Sequence, residues 1–80
     1  MSNATPAAAT GANVRAEMAR RRISQAELGE RLGLKQASIS ARLAGRTAFD
    51  INELHKVADF LKVPLAALTE ALVVTEQASA

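Results

Sequence analysis

The chain has 80 residues, 49% hydrophobic and 22% charged, with one histidine and no cysteine, tryptophan or tyrosine. This excludes a disulfide scaffold, thiol chemistry and a cysteine-ligated zinc site, and leaves room for one small domain with an aliphatic core, which suits helices better than sheets. The net charge of +2 hides an uneven distribution, with eight basic residues against three acids in 15–46 and two against five in 47–80, so a polyanionic partner is expected on one side of the molecule.

Residues 1–10 are small, polar and aperiodic, and read as a disordered arm. A first helix is expected from about Gly11 to Arg22, with Thr10 or Asn13 as its cap and Val14 and Met18 on one face. Arg20, Arg21 and Arg22 fall in its last turn, where cations suit the helix dipole or can reach phosphate. Ser24-Gln25-Ala26-Glu27 is a capping box opening a second helix, with Ile23 and Leu28 as its hydrophobic staple. Leu28 and Leu32 mark its buried face, and Gly33 suits the left-handed turn that ends it. A third helix runs from Lys35 or Gln36 to Ala44, with Ile39 and Leu43 facing inward and Gly45 as its stop. Two short helices joined by a glycine-containing turn form a helix-turn-helix pattern. Asp50-Ile51-Asn52-Glu53 is a second capping box, with Phe49 and Leu54 as its staple and Ile51, Leu54, Ala58 and Leu61 as the fourth helix's stripe. Pro64 opens a fifth helix lined by Leu65, Leu68 and Leu72. The folded domain is therefore expected over 11–74, with a frayed tail over 75–80. No strand or internal repeat is evident.

Taken in order, Ser24 to Gly33, Gln36 to Ser40, Gly45-Arg46-Thr47 and the Leu54, Ala58, Leu61, Val63, Leu65, Leu68 pattern resemble the phage repressor and Cro family, covering about residues 12–70. The resemblance implies an all-α, five-helix, lambda-repressor-like domain that binds operators as a dimer, in a bacterial or phage-infected cell. Two departures stand out. Gly29 stands where the family usually has alanine. Met18 and Leu43 stand where many members have a buried Arg–Glu pair; an apolar contact in that place is expected to be neutral or stabilising.

In such a motif the start of the third helix meets base edges and the second helix crosses the backbone. At about 100° per residue, Ala37, Ala41 and Ala44 lie opposite the buried face, flanked by Gln36 and Ser40 on one side and Ser38 and Arg42 on the other. Gln36 is the best base reader, since its amide can pair bidentately with adenine; Ala37 and Ala41 can touch thymine methyls, and Ser40 accepts several bases. Ser24, Gln25, Lys35, Arg46 and Thr47 are expected at phosphates. Arg42 either joins them or pairs with an acid on the fourth helix. Leu65, Leu68, Leu72 and Val73 exceed what a terminal helix needs and are expected to form a homodimer contact.

The expected function is that of a sequence-specific transcriptional regulator acting on double-stranded DNA. With room for one domain only, its own concentration would control it. The alternatives are an antitoxin-type protein that also grips a toxin, and an interaction module that has lost DNA binding. No enzymatic activity, cofactor, metal or small-molecule ligand is expected, because His55 has no catalytic or metal partner at suitable spacing. No apolar run is long enough to span a membrane and no secretory signal is visible, so a cytoplasmic protein without a membrane partner is expected.

Overall fold

The computed structural model describes residues 5–69, which hold four helices, α1 (Pro6–Arg21), α2 (Gln25–Leu32), α3 (Gln36–Ala44) and α4 (Ile51–Leu61), and are helical again over 65–69. The fold is all-α, with no strand among the described residues. The tail expected over 75–80 lies outside the described residues.

The largest difference from expectation is the start of α1, which lies at Pro6 rather than near Gly11. Thr5 is the cap, its hydroxyl accepting from the Ala8 N–H at 3.1 Å. Proline suits the first helical position, where its missing N–H costs nothing, and the three alanines after it are strong helix formers. Small side chains leave no apolar period to read, but they allow close packing. Thr10 and Gly11 are buried. A Cβ on Gly11 would sit 2.5 Å from the Leu43 carbonyl oxygen and 2.8 Å from that of Arg42, and one on Gly45 would sit 2.6 Å from Ala8 Cα. The added turn of α1 is thus fitted against the end of α3. Asn13 is not a cap; its Nδ2 donates to the Leu68 carbonyl at 2.7 Å and ties α1 to the 65–69 segment.

Both capping boxes form. Ser24 and Glu27 exchange bonds of 3.1 and 2.8 Å, and Asp50 and Glu53 exchange bonds of 2.7 and 3.0 Å. At the C-terminal ends, α2 and α3 stop at left-handed Gly33 (φ 73°) and Gly45 (φ 85°), whereas α1 and α4 stop at left-handed Arg22 (φ 55°) and Lys62 (φ 59°).

The helices close on one core. Val14 and Met18 come from α1, Leu28 and Leu32 from α2, and Ile39 and Leu43 from α3. Phe49, Val57, Ala58, Leu61 and Leu68 complete it. Each large aliphatic side chain buried there contributes about 1.5–3 kcal/mol relative to exposure. Met18 and Leu43 are both buried, in keeping with an apolar contact where the resembled family has its ion pair. Ile51 corrects the expected α4 stripe. It is the first residue of the helix and 59% exposed, while Val57, three residues after Leu54 and four before Leu61, is fully buried. Arg31 lies over the Phe60 ring, 4.4 Å from its centroid, and joins α2 to α4 on the outside.

Candidate nucleic-acid interface

The turn between α2 and α3 sets the site. The Gly33 N–H donates to the Glu30 carbonyl at 3.3 Å and the Leu34 N–H donates to that of Gly29 at 2.9 Å. This paired closure reverses the chain within three residues. A Cβ on Gly29 would lie 2.9 Å from the Leu34 carbonyl oxygen and 3.3 Å from Ile39 Cγ1. Glycine therefore lets the turn draw in tightly, and Ile39 and Leu43 fix the roll of α3 by being buried.

That roll leaves Gln36 and Ala37 exposed at the start of α3 and Ala44 exposed at its end, with Ser38, Ser40 and Ala41 half-buried. Gln36 Nε2 donates to Gln25 Oε1 at 2.7 Å. The first residues of α2 and α3 are thus joined through their side-chain amides. Gln36 keeps its Oε1 and one N–H, the acceptor and donor that a bidentate contact to adenine requires. Gln25 keeps its own NH₂ group, two donors suited to a phosphate oxygen. The Gln25 and Ala26 backbone N–H groups sit at the positive end of the α2 dipole, where a helix leaves its first amides without carbonyl partners. Ser24 is engaged in the capping box, with its hydroxyl accepting from Glu27 N–H.

Lys35 is the α3 N-cap residue but makes no side-chain capping bond, and it is exposed. Arg46 and Thr47 are exposed just beyond α3, their backbone N–H groups both donating to the Ala41 carbonyl at 2.9 and 3.3 Å. Basic or polar side chains therefore flank both ends of the α3 face.

Arg42 is different. Its Nε and Nη2 meet Glu53 Oε1 and Oε2 at 2.9 and 3.2 Å, and Nη1 donates to the Ser38 carbonyl at 3.2 Å. Both side chains of the pair are mostly buried, at 18% and 15% exposure. A two-pronged guanidinium–carboxylate pair is among the stronger polar contacts. It fastens α3 to α4 and takes Arg42 out of the phosphate set. The sequence marks Glu53 only as a capping residue, but the same Oε1 that caps the Asp50 N–H also receives Arg42.

Three further contacts form on α1: one from Arg15, whose partner lies on another helix and has no signature in the sequence, and two from Glu17, whose arginines stand three and four residues on, a spacing the sequence does carry. Arg15 Nη1 donates to the Leu43 carbonyl and so places a cation at the negative end of α3. Glu17 pairs with Arg20 at 2.7 Å and Arg21 at 2.5 Å. The Arg21 guanidinium first, and Arg20 with it, hold the Glu17 carboxyl below its ordinary range, against the opposing effect of its partial desolvation.

The expected dimer residues divide. Leu68 is fully buried in the core of the chain, which removes it from that set; Leu65 is half-buried against the same core. Leu72 and Val73 lie outside the described residues. His55 is exposed on α4. Among the described residues no cluster of three His, Cys, Asp or Glu side chains is arranged to hold a metal ion, and no helix is long and apolar enough to cross a membrane.

Residues 14–68 match a family model described as helix-turn-helix. No curated protein and no solved structure matches the chain.

Proposed function

The chain belongs to the Cro/C1-type helix-turn-helix family of DNA-binding regulators, and from that premise we propose that it is a sequence-specific transcriptional regulator that binds a palindromic operator as a homodimer. In this reading α3 enters the major groove while the N-terminus of α2 crosses the backbone. The observation that supports it best is the 2.7 Å bond between Gln36 and Gln25. It holds a base-reading amide and a phosphate-binding amide in one unit at the mouth of the motif.

Gln36 reads a base, with Ser40 as a weaker polar contact and Ala37 and Ala41 against thymine methyls. Ser24, Gln25, Lys35, Arg46 and Thr47 hold phosphates and fix the docking. Leu65, with Leu72 and Val73, supplies the two-fold contact that sets half-sites about 34 Å apart. With few polar groups on the groove face, backbone contacts and dimer geometry carry much of the affinity.

Repeated selection from random duplexes, followed by binding across a salt series, tests this reading. A selected palindrome and a steep salt dependence are expected. Failure of a folded protein to enrich any sequence would overturn it in favour of an interaction module that retains the fold alone.

A further inference from the structure

The three consecutive arginines that end α1 are not equivalent. Arg20 and Arg21 both bind the Glu17 carboxylate. Arg22 is exposed and has no side-chain partner among the described residues. It is also the C-cap of α1, at φ 55° and ψ 44°. That left-handed conformation strains any residue with a Cβ and leaves glycine unstrained. The next two helices place glycine at the same point, Gly33 and Gly45. Lys62 caps α4 in the same strained geometry, so the strain by itself assigns Arg22 no role; what sets Arg22 apart is where it stands.

Its position indicates a role. Arg22 is two residues before Ser24. Arg15, Ala19, Ile23, Ser24 and Gln25 line one shallow hollow with Leu43, so the end of α1 adjoins the α2 N-terminus. We propose that Arg22 is a phosphate-binding residue, gripping the DNA backbone beside the phosphate held by Ser24 and Gln25. This proposal rests on the DNA-binding function proposed above. The competing explanation is a purely local one, a cation placed against the α1 dipole. Lys62 provides the comparison: it caps α4 with the same geometry, φ 59° and ψ 47°, on a helix that supplies none of the proposed contact residues.

The test uses Arg22→Gly, Arg22→Lys and Lys62→Gly in the full chain, with thermal melting and binding to a duplex across a salt series. Both glycine variants are expected to melt a few degrees higher as the strain is relieved. Arg22→Gly should weaken DNA binding roughly fivefold at about 0.15 M salt and make the log–log salt slope shallower by about 0.9 per bound chain. Arg22→Lys should keep the wild-type slope, and Lys62→Gly should keep both slope and affinity. An unchanged slope and affinity in Arg22→Gly would overturn the proposal and leave the DNA-binding function standing. Equal losses in both glycine variants would also overturn it, because relaxed caps would then be the cause. Absence of salt-dependent binding in the wild type would overturn both.

Discussion

At the scale of single residues, Gln36 and Gln25 act as one unit. Their amides are bonded, so each orients the other, and neighbours that share a bond do not contribute additively. Gln36→Ala is expected to relax preference at one base position by about 1–3 kcal/mol, and Gln25→Ala to weaken all sequences and also blur that position. A double-mutant cycle measured by quantitative binding should give a coupling of about 0.5–3 kcal/mol; additive losses would show that the bond does not position the reader. The candidate reader was legible in the sequence because Gln36 opens a helix and its outward direction follows from Ile39 and Leu43. Arg42 was legible only as a choice between two partners. Its partner, Glu53, lies eleven residues away on another helix, and helical periodicity carries no information about how α3 and α4 cross. The Arg15 bond to the Leu43 carbonyl was hidden for the same reason.

At the scale of the elements, ends marked by local chemistry were legible and ends marked by packing were not. Ser24, Asp50, Gly33 and Gly45 announce the boundaries of α2, α3 and α4, because a cap is a short-range bond between near neighbours. The start of α1 has a local cap too, Thr5-Pro6, but the residues behind it are too small to show a buried face. What makes that turn fit is the bare backbone of Gly11 against the last carbonyls of α3. Gly11→Ala tests this balance. Alanine should gain about 1 kcal/mol in helix propensity, but its Cβ would meet backbone atoms that cannot swing aside. Overpacking typically costs about 1–3 kcal/mol, so a net loss of stability is expected in urea or thermal unfolding. A stabilised variant would show that α1 moves off α3 easily.

At the scale of the whole molecule, the basic N-terminal half carries the proposed contact surface. α4 and the residues after it hold the acidic excess, and the residues after α4 supply the proposed two-fold contact. The inward turn of Leu68 leaves Leu65, Leu72 and Val73 for that contact. Leu72→Glu is expected to shift the protein toward monomer in sedimentation equilibrium. It should weaken binding to a two-half-site duplex while sparing binding to a single half-site; an unchanged mass would place the contact elsewhere. The alanines of α3 have a consequence at this scale as well. Ala37 and Ala44 are exposed and belong to no part of the core, while the orientation of α3 is secured behind them by Ile39, Leu43 and the Arg42–Glu53 pair. The surface proposed to face the groove is in effect a blank template on a mount held by the core and the Arg42–Glu53 pair. New base preferences can be written onto it, one side chain at a time, without the sequence having to solve the folding problem again.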